Sequence, residues 1–147
     1  MTAKLTIAIA ADHGGFALKT AIIAAYQDKC DFLDLGTDSE KSCNYADYGH
    51  ALAEAIEQGK AKCGIIICGS GIGISIAANR HKAVRAALCT DSTMARLSRL
   101  HNDANVLALG ARIIGQQVAF DCVDAFFATT FEGGRHEERV EKLNVGV

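Results

Sequence analysis

The chain of 147 residues contains no proline. One class of turn signal is therefore missing, and turns must be read from glycine and short polar clusters. There is no basic excess: 15 Lys and Arg stand against 17 Asp and Glu, a formal net charge of -2. No global positive field advertises a nucleic-acid partner. No apolar stretch is long and uninterrupted enough to span a bilayer. The opening residues, Met1-Thr2-Ala3-Lys4-Leu5-Thr6-Ile7-Ala8-Ile9-Ala10, are too short and too β-like for a signal peptide and meet Asp12-His13 at once. A cytoplasmic location without membrane contact is expected. The six cysteines (Cys30, Cys43, Cys63, Cys68, Cys89 and Cys122) form no C-x-x-C pair, and the Cys63–Cys68 spacing does not suit a zinc ribbon. They are scattered through apolar segments and read as free thiols. No repeat, linker or low-complexity segment divides the chain, so residues 1–147 are expected to form one domain. Half of the residues are hydrophobic and 22% are charged, which is globular composition with enough apolar surface for a core.

What is present is an alternation of short β-type runs and longer helical patterns. Strands are expected at Leu5 to Ala10, Phe32 to Leu35, Ile65 to Cys68, Val84 to Cys89 and Val106 to Leu109. Helices are expected from about Gly15 to Lys29, Asp47 to Gln58, the glycine loop to Asn79, Asp91 through Leu100, Gly115 to Thr129, and about Arg135 to Leu143. Thr37 to Asn44 reads as a polar loop. This pattern predicts an α/β fold: a doubly wound, Rossmann-like sheet of five parallel strands, helices on both faces and right-handed crossovers, with a C-terminal helix. Ligands of such folds bind outside the carboxyl ends of the strands. Asp12-His13, the Cys68 loop, Asp91 and Gly110-Ala111-Arg112 all fall there, which argues for a single site.

The stretch Ile65-Ile66-Ile67-Cys68-Gly69-Ser70-Gly71-Ile72-Gly73-Ile74-Ser75 carries the most chemistry. A β-branched run ends in a thiol, and a glycine-rich turn follows. Gly69, Gly71 and Gly73 let a ligand approach the main chain, and the amides of Gly69, Ser70, Gly71, Ile72 and Gly73 can face an anion. Cys68 beside such donors is a candidate general base or nucleophile, although free cysteine is often only a small core residue. A cysteine-phosphatase loop would need arginine six positions after the cysteine, where Ile74 stands. The G-x-G-x-G pattern also approaches a dinucleotide fingerprint, with Asp91 in place to reach a ribose, but the loop follows the third strand and Asp91 equally suits a helix N-cap.

The remaining candidates have two readings each. Asp12 and His13 can bind sugar hydroxyls or polarise an oxygen, or cap a helix and face solvent. His101, before Asn102 and Asp103 at a helix end, can exchange a proton near neutral pH or simply complement the helix terminus. Arg135 and Arg139 share one helix face and with Arg112 can clamp a phosphate; alternatively they are solvated, with Glu138 paired to Arg135. Tyr45 and Tyr48 can lid a pocket or merely pack. Together these residues suit proton shuttling beside a carbonyl, with amides as the oxyanion hole.

Several ordered motifs at matching separations resemble the ribose-5-phosphate isomerase B group, which includes galactose-6-phosphate and allose-6-phosphate isomerases. They are Ala11-Asp12-His13-Gly14-Gly15, Cys68 to Asn79, Leu97 to Leu107, and Glu132-Gly133-Gly134-Arg135-His136. The resemblance covers Ala8 to about Leu143. It implies interconversion of ribose 5-phosphate and ribulose 5-phosphate, in the pentose phosphate pathway, without metal or organic cofactor. It implies Cys68 as the base, His101 as the ring-opening acid with Asp12 helping, Asn102 on the sugar, and His13, Arg112, Arg135 and Arg139 on the phosphate. It also implies a homodimer, or a tetramer of dimers, with the site between subunits. A second branch of the group carries glutamate where Ile74 stands, so this chain resembles the thiol branch. Ala46 replaces a frequent proline and Ala11 a frequent cysteine. The same chemistry on a hexose 6-phosphate, or a non-catalytic nucleotide-binding module, remains an alternative.

Overall fold

The computed structural model describes residues 4–146. Five strands pair in parallel: β1 (Leu5–Ala11), β2 (Cys30–Asp34), β3 (Cys63–Cys68), β4 (Ala86–Leu88) and β5 (Val106–Gly110). Their spatial order is β2-β1-β3-β5-β4. The helices are α1 (Phe16–Tyr26), α2 (Tyr45–Glu57), α3 (Ile72–Ala78), α4 (Ser92–Asn102), α5 (Gln116–Ala128) and α6 (His136–Leu143). The expected α/β class and all-parallel sheet are found. Among the described residues, no helix is long and apolar enough to cross a membrane.

The side-chain period of two divides each central strand between two cores. Ile7 and Ile9 of β1, Ile65 and Ile67 of β3, and Leu107 and Leu109 of β5 face α1, α4 and α5, where Ile22, Ala95, Val123 and Phe126 cover them. Ala8, Ala10, Ile66, Cys68, Val106 and Ala108 face the other way, onto Leu52 of α2 and Ile74 and Ala78 of α3. The alanines on that second face let α2 approach closely. Burying each large aliphatic side chain contributes roughly 1.5–3 kcal/mol, so β1, β3 and β5 form the rigid centre of the molecule.

Element ends differ from expectation where local chemistry overrides the hydrophobic pattern. The Asn44 side chain accepts from the Ala46 amide at 3.0 Å. That cap starts α2 at Tyr45, earlier than the expected Asp47, and puts Tyr45 in the helix rather than the preceding loop. Helix α1 stops at Tyr26, because Gln27 to Lys29 turn into β2. Strand β4 pairs only over Ala86–Leu88, on the sheet edge, and not from Val84 to Cys89. Helix α6 begins at His136, one residue after the expected start.

Candidate active site

Register brings three strand ends together. The last ladder partners are Ala11 with Ile67 and Cys68 with Gly110. Three loop amides then continue the pairing: Asp12 donates to the Ile67 carbonyl at 3.2 Å, Ala111 to that of Cys68 at 2.9 Å, and Arg112 to that of Gly69 at 2.9 Å. Asp12, Cys68 and Arg112 therefore leave the sheet side by side. They line a cleft of about 560 Å³ with Tyr45, Ser70 and Gly73. This is the carboxyl end of β1 and β3, between which the chain reverses its winding direction and parallel sheets bind ligands.

Cys68 ends β3 at 4% exposure. Its sulfur accepts a hydrogen bond from the Gly71 amide at 3.1 Å. Gly71 reaches that position with a φ of +77°, which glycine adopts without strain. The neighbouring Ile72 amide is occupied by the Ser70 hydroxyl at 3.2 Å. Among the described residues, the amides of Gly69, Ser70 and Gly73 have no acceptor. The expected five-amide cradle is thus divided: one amide serves the thiol, one braces the loop, and three remain for a ligand.

Asp12 combines both roles weighed for it. Its Oδ1 accepts from the Gly15 amide at 3.1 Å, shaping the turn into α1, while the same carboxylate lines the cleft. His13 does not line the cleft. Its Nδ1 accepts the Cys43 amide at 3.2 Å, tying it to the loop before α2. The exposed Arg112 lies across Gly69, where an added Cβ would stand 3.1 Å from Nη1. Among the described residues, no carboxylate lies within ion-pair distance of Arg112, Arg135 or Arg139. The expected Glu138–Arg135 pair is absent; Glu138 instead faces Lys142 at 4.0 Å. Tyr45 covers Gly73 so closely that a Cβ there would fall within 2.1 Å of its ring. The tyrosine roofs the cleft, which its place in the sequence did not decide.

The other candidates lie at the opposite end of the sheet. Helix α4 runs back from the carboxyl edge of β4 for 11 residues, about 16 Å, and ends three residues before β5 begins. His101 and Asn102 sit at that end. The Glu132 amide donates to the Leu100 carbonyl at 3.2 Å, fixing the start of the C-terminal segment there. His136 then stacks on His101, with ring centroids 4.5 Å apart, and Arg135, at the N-cap of α6, and Arg139, within it, lie exposed nearby. One chain therefore does not assemble the single site expected from thiol, histidine and arginines together. A parallel sheet sends each helix back across its length and separates the two groups. Asp91 is also outside the cleft: its side chain caps α4, accepting from Met94 at 2.8 Å, which removes the candidate ribose-binding acid from the nucleotide reading.

Cys43 apart, the remaining thiols belong to the core or pack against it. Burial pushes Cys89 up to about 12 and Cys63 and Cys122 up to about 11, so they stay protonated at neutral pH. Sequence reasoning missed the Cys43 contact to His13, because a backbone donor leaves no residue signature. It also missed the exposed apolar rim of the cleft, where Ile72, Ile76 and Ile113 are 53%, 59% and 62% exposed.

The family described as Ribose/Galactose Isomerase matches residues 7–143. The ribose-5-phosphate isomerase B of Escherichia coli is 44% identical over 138 residues, 93% of this chain and 93% of that protein. The Clostridium thermocellum ribose-5-phosphate isomerase B structure superposes with a TM-score of 0.93 at 48% identity, covering 95% of each chain. The Mycoplasma genitalium ribose-5-phosphate isomerase B structure, which has ribulose 5-phosphate bound, superposes at 0.91 with 36% identity, covering 97% of this chain and 96% of that one. On sequence and architecture together, this chain belongs to the ribose/galactose isomerase family and is an isomerase.

Proposed function

We propose that the protein interconverts ribose 5-phosphate and ribulose 5-phosphate at the Cys68 cleft, completed by a second copy of the chain. The observation that carries this reading is the Cys68 sulfur, held by the Gly71 amide at 3.1 Å beside three amides without an acceptor. A thiolate there removes the proton from C2 of the open-chain aldose. The electron pair moves onto the C1 carbonyl oxygen, and the amides of Gly69, Ser70 and Gly73 stabilise the oxyanion. The proton returns to C1 while the hydroxyl proton passes from O2 to O1, giving the ketose. Asp12 lies beside the thiol to hold the ring oxygen, and Arg112 offers charge to the phosphate.

Ring opening needs an acid that the carboxyl-edge cleft of one chain does not supply. A two-fold pair of chains would set the amino-edge cluster of each against the cleft of the other. His101 of the partner subunit then protonates the ring oxygen, its Asn102 binds the sugar, and its Arg135 and Arg139 complete the phosphate clamp. The exposed rim of Ile72, Ile76 and Ile113 supports this arrangement, since such a patch around a polar cleft marks a surface that a partner covers. The substrate is supported by the relatives, one of them with ribulose 5-phosphate bound.

The test is ribulose 5-phosphate formation by metal-free protein in the presence of a chelator, wild type beside Cys68→Ala. Activity in the wild type alone is the expected result. Equal turnover in both proteins overturns the thiol mechanism. Inactivity in both, with turnover of allose or galactose 6-phosphate, moves the substrate to the hexose phosphates.

A further inference from the structure

We infer that His101, His136 and Glu132 form a site for a divalent transition-metal ion of the zinc type, and that filling it inhibits the enzyme by taking His101. The inhibition rests on the role proposed above for His101; the binding does not.

The ligand atoms of the three side chains all lie within 4.8 Å of one another. His136 is 5% exposed, and its Nε2 is a buried polar atom without a hydrogen-bond partner. A buried polar atom left without a partner is poised to take a ligand. Glu132 Oε2 is 3.9 Å away. That gap is too long for a hydrogen bond. It is close to the roughly 3.3 Å between two ligands that each stand about 2.0–2.1 Å from a tetrahedral zinc ion. The backbone makes the approach possible: Gly133 and Gly134, with φ of +71° and +57°, fold Glu132 back over the start of α6.

The donor set selects the ion. Two imidazoles and one carboxylate suit zinc, cobalt or nickel, whereas calcium and magnesium prefer oxygen ligands. Two features restrain affinity. Arg135 and Arg139 repel a cation, partly offset by Glu132. The stacked rings are only 18° from parallel, so their in-plane lone pairs do not converge until His101, half-buried in the last turn of α4, rotates about its Cβ–Cγ bond. The site is accordingly weaker than a structural zinc site and suits reversible control. Three protein ligands also leave a fourth position open for water. With its lone pair on the metal, His101 cannot take up the second proton that would let it act as an acid toward the sugar ring.

The experiment titrates chelator-stripped protein with Zn2+ by calorimetry and with Co2+ by visible absorption, in the wild type, Glu132→Gln and His136→Ala. Glu132 is exposed, so its substitution leaves the fold intact whatever becomes of His136→Ala. The expected result is a site whose dissociation constant rises about tenfold or more in both variants, with Co2+ bands lacking a thiolate charge-transfer feature. Zn2+ then inhibits wild-type turnover, a chelator reverses it, and Glu132→Gln keeps its metal-free activity while resisting zinc. Unchanged affinity in both variants overturns the site, as does a thiolate band pointing to Cys68. Binding only at the His50–His81 pair, whose nitrogens lie 2.8 Å apart, also leaves both variants unchanged and overturns it. Metal binding lost in both variants of a protein without isomerase activity keeps the site and sinks the proposed reaction instead.

Discussion

The Gly71 amide donates to the Cys68 sulfur at 3.1 Å, across a three-residue turn that Gly71 closes with a φ of +77°. Backbone conformation and thiol chemistry are therefore one feature. The turn that frees three amides for a ligand also sets the hydrogen bond on the Cys68 sulfur.

Gly71 and Gly73 should fail in different ways. A Cβ on Gly71 would meet Leu109 C at 2.8 Å and the Gly110 nitrogen at 3.0 Å, both backbone atoms, in a left-handed conformation. Gly71→Ala should cost on the order of 2 kcal/mol or more of stability, read as a lower urea midpoint. The three atoms nearest a Cβ on Gly73 all belong to the Tyr45 ring, which is 44% exposed and free to swing away. Gly73→Ala should hold its urea midpoint but raise KM, and Tyr45→Ala in the same chain should remove the steric part of that defect. Equal loss of stability in both single variants contradicts this account.

Complementation tests the proposal that two chains share the site. Cys68→Ala and His101→Ala homodimers should each be nearly inactive. After unfolding together and refolding, about half of the dimers are mixed, and each mixed dimer carries one intact site. Roughly a quarter of wild-type activity should return. A mixture no more active than its parents shows that thiol and histidine do not combine across subunits.

The Lys19–Asp34 pair should be asymmetric. Lys19 Nζ lies 2.6 Å from Asp34 Oδ1, with side-chain exposures of 3% and 46%. Asp34 also accepts the Gly36 amide at 3.0 Å. Asp34→Ala leaves a buried ammonium without its counter-charge and should cost about 2 kcal/mol. Lys19→Met removes the charge itself and should cost less. Chemical denaturation of both variants checks the order.

Alkaline pH should destabilise the fold through the buried thiols. Burial raises Cys89 to about 12 and Cys63 and Cys122 to about 11, and it raises the Tyr26 phenol alongside the adjacent Asp124. In the unfolded chain the thiols ionise near 9 while the folded chain still holds their protons, so the folded state binds more protons above that pH. The stabilising effect is complete below pH 9 and is lost as pH rises toward the folded values. The slope approaches about 1.4 kcal/mol per pH unit for each thiol. Urea midpoints from pH 8 to 11 should fall, and Cys89→Ala should flatten the decline relative to wild type.

Much of the architecture was legible along the chain because the signals were local. Ile65-Ile66-Ile67 is β-branched and bounded by glycine, and β3 forms there at the centre of the sheet. Asp91 reads as an N-cap and caps α4 through Met94. The misplaced boundaries have local causes that hydrophobicity does not carry: the Asn44 cap lengthened α2, and pairing on one side only shortened β4. In the site, Asp12, Cys68 and Arg112 could be grouped in advance because each follows a strand, and parallel strands end on one edge. The apolar rim, the Tyr45 roof over Gly73 and the Cys43 amide on His13 depend on contacts between distant segments, and residue type alone does not announce them.

An alternating α/β chain, a thiol at the mouth of a glycine turn and membership of an isomerase family are all written along the chain. Those properties follow from side-chain periodicity, glycine placement and ordered motifs, all read along one dimension. Which candidates meet depends on folding in three dimensions. Parallel strands with returning helices gather Asp12, Cys68 and Arg112 at one edge and carry His101, Arg135 and Arg139 to the other, because each helix must cross the sheet before the next strand begins. The same packing closed His136 against His101 and left its Nε2 buried and unpaired, a juxtaposition of two helices that lie far apart in the chain.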